Sequence, residues 1–314
     1  MSAGADAKRS GAGPSGEEAD TETRYDFGGD EFVYVELSAA MSLPVHFTSL
    51  AITRRLGEEA IPGVEEICPS NASYMVRVDP DRLDPRDLVR ELQRIEGEVG
   101  SLSDDLTIAT RIVDVPIMLN DPWTHEVLMK FRDRHQDPTG TDLDYGARIN
   151  GYSSTEDFID ALAASPYLVT MMGFVPGLPW CFQLVPRERQ VEVPKYVRPR
   201  TETPERAFGF GGAFAVIYPV KGAGGYQLFG SAPAPIFDGE QRLPDFAEND
   251  SVVFFQHGDV INYRRVDQAE YDDVRAQVDA GTWRYSYREL EFSPSRFLAD
   301  PDGTNTAMKE VLYG

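Results

Sequence analysis

The chain has 314 residues, of which 41% are apolar and 11% aromatic. That is enough to bury a core in one large domain or two ordinary ones without disulfide staples. With 52 Asp and Glu against 30 Lys and Arg the formal charge is −22, which repels phosphate backbones and anionic lipid and argues against nucleic acid or a membrane surface as partner. No apolar run approaches the roughly 20 residues of a membrane span, and nothing at the N-terminus reads as a signal peptide. Cys68 and Cys181 stand far apart and outside any C-x-x-C, so neither a disulfide framework nor a Cys-based zinc site organises the chain. The expected compartment is the cytoplasm. Only five basic residues are Lys (Lys8, Lys130, Lys195, Lys221 and Lys309), a bias that fits either a high-salt surface or Arg-favouring codons.

Residues 1–24 are rich in Gly, Ala, Ser, Asp and Glu without apolar periodicity and read as a disordered acidic tail. A small α/β domain is expected over 25–104. Phe32–Leu37 and Tyr74–Val78 carry the β-branched and aromatic enrichment of strands. His46–Leu56 has apolar residues at near-helical spacing. Pro62-Gly63 makes a turn before Val64–Ile67. Asp84-Pro85 opens a helix with Asp as N-cap, Pro in the first turn and Leu88, Val89, Leu92 and Ile95 as the apolar face. Gly100–Asp105 reads as a linker.

A β-barrel is expected over 105–266, beginning with a β region at Thr107–Pro116. A charged helical stretch, His125–Arg134, and a polar loop, Asp137–Thr141, come before a helix that Ser154 caps and that buries Phe158, Ile159 and Leu162. After Pro166 the helical signal stops. Short apolar runs punctuated by Gly and Pro take over, at Tyr167–Met172, Phe208–Phe210, Ala213–Tyr218, Tyr226–Phe229 and Ser251–Phe255. The segment 267–314 is expected to be a helical extension. Tyr271, Val274 and Val278 stack on one helix that Gly281 ends, and Trp283–Tyr287 is a short strand candidate.

There is no Walker loop, no G-x-S-x-G and no H-E-x-x-H among the four His, which are His46, His125, His135 and His257. No two of them have a ligand spacing, so no metal is expected. His125 and His135 lie in polar surroundings and read as solvated surface. Gly209-Phe210-Gly211-Gly212 has a misplaced third glycine for a dinucleotide loop and reads as close backbone approach in a barrel. The richest segment is 173–230. Gly173–Trp180 reads as a fixed loop lined by aromatics, since its Pro and Gly exclude a helix or regular strand. Pro194–Thr201 puts Lys195, Arg198 and Arg200 together in an otherwise acidic chain. That suggests a pocket for a carboxylate, a carboxylated cofactor or a phosphate, against a surface where these cations merely pair with Glu192, Glu202 and Glu205.

In order along this segment stand Gly173–Trp180, Pro194-Lys195-Tyr196, Arg198-Pro199-Arg200-Thr201, Thr203-Pro204, Gly209–Gly212, Ile217-Tyr218-Pro219 and Gly224–Gly230. This string resembles the allophanate-hydrolase-subunit-1 family, which includes a sporulation kinase inhibitor, the B component of 5-oxoprolinase and the second half of the carboxyltransferase domain of urea carboxylase. Within it, Arg148–Gly151 and the segment 271–292 are most similar to urea carboxylase. The resemblance implies an α+β fold, with a small α/β domain followed by a cyclophilin-like β-barrel. It also implies a biotin-dependent carboxyltransferase subunit that moves CO2 from carboxybiotin to an amide- or urea-like substrate. Biotin would arrive on a partner carrier protein and ATP act only through a partner such as a biotin carboxylase, with the site completed by a subunit-2-like protein. Carried over by motif position, Lys195, Arg200 and Tyr218 would be catalytic, and Phe174, Pro176, Gly177, Tyr196, Tyr226 and Gln227 would bind the substrate. Gly230-Ser231-Ala232 stands where the family has Gly-Arg-Thr, and Phe208 and Phe210 stand where it has smaller aliphatics; together these departures imply a larger, more apolar substrate than urea. An ATP-dependent lactam hydrolase of the 5-oxoprolinase type and a histidine-kinase-binding regulator are the two alternatives.

Overall fold

The structure is a computed structural model that describes residues 23–100 and 106–314. The expected tail, apart from its last two residues, and the expected linker beyond Gly100 lie outside the described residues.

The N-terminal unit is a four-stranded antiparallel sheet of β1 (Arg24–Gly28), β2 (Phe32–Glu36), β3 (Val64–Pro69) and β4 (Ser73–Val78), in the order β1-β2-β4-β3. Helices α1 (Leu43–Glu59) and α2 (Pro85–Val99) cover one face. Asp84 caps α2 by accepting from the Arg86 N–H, as its Asp-Pro signature predicts. Val33, Val35, Tyr74 and Val76 on the strands bury against Ile52 and Leu56 of α1 and Leu88, Leu92 and Ile95 of α2. Strand β1 alternates charged and apolar residues and is mostly exposed. It is an edge strand whose weak apolar signal left it unread in the sequence.

The second unit is built on β5 (Ile108–Leu119), β6 (Tyr167–Met172), β7 (Pro179–Gln183), β9 (Ala207–Gly211), β10 (Phe214–Ile217), β12 (Gln227–Ser231) and β13 (Val260–Arg265). They hydrogen-bond in the order β12-β9-β10-β7-β6-β13-β5, and a β12–β5 pairing closes the ring. The expected α+β fold with a barrel after a small α/β domain is therefore present. β14 (Ser286–Phe292) adds to the outside of β5, and a small ribbon pairs β8 (Arg200–Thr203) with β11 (Gly222–Gly224). Val113, Val115, Ile117, Phe208, Phe210 and Phe229 fill the barrel. Around it pack α3 (Pro122–Phe131), α4 (Asp142–Ile149), α5 (Thr155–Ala164), α6 (Pro244–Glu248), α7 (Gln268–Asp279), α8 (Pro294–Ala299) and α9 (Pro301–Tyr313).

Several elements differ from the sequence reading. The polar loop ends at Thr141 as expected, and the Thr141/Asp144 capping box then starts α4 at Asp142, a helix the sequence reading did not give. Pro179 and Trp180 open β7 rather than ending the Gly-rich loop, because Trp180 pairs with Met171. Val253 makes only a single bridge to Phe237, so Ser251–Phe255 is not a strand, and its Phe254 and Phe255 enter the core from a loop. The strand there is β13, whose Arg264 and Arg265 disguise it. The candidate strand at Trp283 begins at Ser286, since Tyr285 is drawn into the core by stacking on Phe254. The segment 267–314 thus contributes a strand as well as helices. Its α8 and α9 each carry Pro in the first turn and a capping Ser293 or Asp300. α9 holds despite Gly303, Thr304 and Thr306 because Met308 and Leu312 bury.

The two units share a core. Leu43 and Phe47 of α1 pack with Ile112 of β5, Phe292, Phe297, Met308 and Leu312. At this seam His46 is fully buried, its Nδ1 is 2.8 Å from the Asn71 carbonyl, and its ring meets His257 edge-on at 5.4 Å. The Nε2 atoms of both rings are buried without a hydrogen-bond partner. Burial holds His46 down to about 4, and burial with the neighbouring His46 holds His257 down to about 3. Both are neutral in the folded chain where the unfolded chain would take up protons, so their contribution is present above pH 6.5 and is lost as pH falls toward the folded values. Urea unfolding at pH 7 and pH 5 should show a loss of about 2 kcal/mol per histidine. His46→Gln should remove roughly half of that difference; an unchanged pH dependence in the variant would show that the seam does not carry it.

Candidate functional site

Arg200 opens β8 and is the largest side chain that is fully buried among the described residues. Its guanidinium donates to the Tyr226 carbonyl at 2.7 Å and to Thr203 Oγ1 at 3.3 Å, and it lies 4.5 Å over the Tyr196 ring. Among the described residues, no carboxylate lies within ion-pair distance of it. Its countercharge sits one phenol away, where the Tyr196 hydroxyl donates to Asp142 Oδ1 at 2.6 Å and the Leu228 N–H donates to Asp142 Oδ2 at 2.6 Å. Burial pushes the Asp142 carboxyl up, and burial with the adjacent Asp142 pushes the Tyr196 phenol up. His135 Nε2 is 2.7 Å from Gln227 Oε1 and 3.6 Å from Asp142 Oδ1. The Gln227 amide nitrogen donates to the Pro194 carbonyl at 2.9 Å.

His135 is therefore not on the solvated surface that its neighbours Arg134, Gln136 and Asp137 suggest. It is buried, wedged edge-on between Tyr145 and Tyr196. His125 is exposed, as read.

The structure brings Lys195, Tyr196, Arg200, Tyr218, Tyr226 and Gln227 into one neighbourhood. Lys195 is exposed, with Nζ 5.3 Å over the Tyr226 ring and no carboxylate in ion-pair range among the described residues. The three glutamates near the cluster in sequence are engaged elsewhere: Glu202 with Lys130 and Lys221, Glu192 with Arg187, and Glu205 with Arg206. Arg198 pairs with Asp133 instead. The Tyr226 ring needs a gap in the adjacent strand. A Cβ on Gly211 would fall 2.4 Å from its Cδ1, so Gly211 is the close approach that the glycine run predicted. Tyr226 also meets the Trp180 ring edge-on at 6.0 Å. The Tyr226 hydroxyl and Trp180 Nε1 are both buried donors without an acceptor.

The loop before β7 is tied to the same cluster. Leu178 and Val175 pack with Tyr218 and Tyr226. The Leu178 N–H bonds the Val175 carbonyl across Pro176 and Gly177, with φ +79° at Gly177, which makes a type II turn. Gly177 is buried against Val253 and Phe237, while Pro176 is exposed and Phe174 is 69% exposed at φ +75°. Sequence reasoning missed Asp142, His135 and the unpartnered Trp180 donor. The signal for Asp142 was the capping box beside it; for His135 nothing in its polar surroundings indicated burial.

The arrangement offers a fixed buried positive charge, two buried hydrogen-bond donors without an acceptor and one exposed ammonium, which is the electrostatics that stabilises a developing anion. Gly211→Ala should push the Tyr226 ring off β9 and cost about 1–3 kcal/mol of stability by thermal or denaturant unfolding. A neutral result would mean that the strand gives way instead of the ring.

A family model for the carboxyltransferase domain, subdomain C and D, matches residues 23–247. The B component of 5-oxoprolinase from Bacillus subtilis is 24% identical over 252 residues, covering 77% of this chain and 92% of the relative. A putative urea carboxylase of Emericella nidulans is 26% identical over 225 residues, 70% of this chain and 18% of that protein. The solved Kluyveromyces lactis urea carboxylase matches with a TM-score of 0.76 at 21% identity, over 96% of this chain and 27% of that one. The chain thus spans nearly all of the oxoprolinase component and only a minor part of the urea carboxylases. The family match runs from β1 through β12 and takes in every residue of the Arg200 network, and the chain belongs to the family of carboxyltransferase domains, subdomains C and D.

Proposed function

We propose that this chain is the C–D half of a biotin-dependent carboxyltransferase that moves CO2 from carboxybiotin to an amide- or urea-like substrate, in a site completed by a subunit-2-like partner. The observation that carries the reading is Arg200, a fully buried guanidinium without a carboxylate in ion-pair range among the described residues. It is hydrogen-bonded to the backbone of Tyr226, whose hydroxyl is unpartnered and whose ring carries the unpaired Lys195 ammonium. The buried, acceptor-less donors of Tyr226 and Trp180 fit a carboxylated ureido group, whose oxygens are all acceptors. When bound, that group supplies CO2 in transferable form. Biotin carboxylase, biotin carrier and the use of ATP belong to partners.

In this reading Lys195 holds the carboxylate by charge, and Tyr226 and Trp180 orient it. Burial raises the phenols of Tyr218 and Tyr226, so both stay protonated donors at neutral pH. Arg200 would favour the anion formed when the substrate nitrogen passes its proton to the ureido nitrogen that has released CO2. Tyr196 and Gln227 act from below, the first by linking Arg200 to Asp142 and the second by locking His135 against the 194–196 backbone. Phe174 and Pro176 would present an apolar lip to substrate or partner, held by the turn at Gly177. The match along 92% of the Bacillus subtilis 5-oxoprolinase component favours a second reading, a part of an ATP-dependent lactam hydrolase without biotin.

The test is a complex reconstituted with its subunit-2-like and carrier partners. Avidin-sensitive fixation of labelled bicarbonate into amide or ureide substrates supports the first reading. Avidin-insensitive, ATP-dependent opening of 5-oxoproline supports the second, and a stable complex with a histidine kinase alone sinks both. Lys195→Met should lower kcat/KM by about tenfold or more, or roughly 1.4 kcal/mol, with an unchanged melting temperature. Full activity in that variant would remove Lys195 from the site.

A further inference from the structure

Where α9 crosses the open end of β7, the chain forms a cavity of about 270 Å³ that is separate from the Arg200 network and independent of the function proposed above. That volume is several times the roughly 30 Å³ share of one water and sits at the small end of ligand pockets. The α9 helix lies beyond the family-matched residues, which end at 247, and contributes Asp302, Asn305 and Lys309 to the lining.

Two buried amides set the chemistry. The Gln183 nitrogen donates to the Ala161 carbonyl at 3.0 Å and to Ser165 Oγ at 3.1 Å. The Asn305 nitrogen donates to the Leu184 carbonyl at 2.7 Å. Because each amide nitrogen faces a carbonyl, neither amide can be turned over, and the oxygens are left as the free ends. Both oxygens, on side chains only 2% and 6% exposed, are buried without a donor. An unpartnered buried acceptor is destabilising unless something brings it an N–H or O–H.

The third feature is a cation. Lys309 is half-buried, gives one N–H to the Ala164 carbonyl at 2.6 Å and has no carboxylate in ion-pair range among the described residues. The one carboxylate in the lining, Asp302, is already held by Arg189 at 2.7 Å. Burial lowers the Lys309 ammonium, which is the direction expected of a buried cation with no anion nearby. Ala161, Ala164 and Val185 supply an apolar wall.

We propose that this cavity is a binding site for a small carboxylate that also carries amide or ureide N–H groups. Its carboxylate would pair with Lys309, and its N–H groups would satisfy Gln183 Oε1 and Asn305 Oδ1. A simple carboxylate leaves the amide oxygens unsatisfied, and a simple urea leaves Lys309 unpaired, so both should bind more weakly than a molecule with both groups.

The probes are N-carbamoylglycine and succinamate, with acetate and urea as controls, titrated calorimetrically into the full chain. Saturable binding at least tenfold tighter than either control, and weakened at least tenfold in Lys309→Met and Asn305→Leu, supports the site. A second measurement uses the unaltered chain, so it stands even where a variant fails to fold. Acetylation of Lys309 by acetic anhydride, read by mass spectrometry of the α9 peptide, should be slowed by the two probes and not by acetate or urea. Absence of saturable binding, binding that Lys309→Met leaves unchanged, or equal acetylation with and without probe overturns the proposal and leaves a cavity that holds only water.

Discussion

Strand β5 is buried on both faces, and the architecture follows from that. Its Val113, Val115 and Ile117 point into the barrel, while Ile112 points out into a second apolar cluster. The outer cluster has to be covered, and α1, α8, α9 and β14 cover it with Phe47, Phe297, Met308 and Phe292. β5 also pairs with β13, β14 and β12, so one strand closes the barrel and anchors its outer layer. The buried His46–His257 contact lies in the same seam, where the small α/β domain sits against the barrel through α1.

Barrel closure also creates the Arg200 site. Gly211 lets the Tyr226 ring settle against β9, and the backbone turn at Tyr226 then offers its carbonyl to Arg200. A buried guanidinium is costly unless its charge is answered. Here the answer comes through Tyr196 to Asp142, a carboxylate fixed by the backbone of β12. With the countercharge kept one phenol away, the positive potential is left to the neighbourhood of Tyr218, Tyr226 and Lys195.

The sequence made much of this legible. Gly and Pro punctuation marked the barrel, Asp84-Pro85 marked α2, and the density of aromatics, glycines and cations over 173–230 marked the site. Where local polarity and tertiary burial disagree, the reading failed. His135, set in a polar stretch, is buried because Gln227 and Asp142 meet its Nε2 and the rings of Tyr145 and Tyr196 enclose it. Asp142, which the sequence reading passed over, is the buried countercharge. β13 hides behind two arginines that pair with Asp114, Glu156 and Glu270 on other elements, and α9 is held by its packing in spite of its propensity.

Sequence alone determined the acidic surface, the class of fold, the strong local elements and the motif string that places the chain in its family, because periodicity, capping and glycine spacing are local properties of the chain. Which charges are free and which are answered was decided only by the tertiary structure. Arg200, Lys195 and Lys309 read alike as basic residues in an acidic protein. Folding buries the first, leaves the second unpaired over Tyr226 and sets the third in the lining of a cavity with Gln183 and Asn305, since solvation and partnership belong to the packed chain and not to the residue.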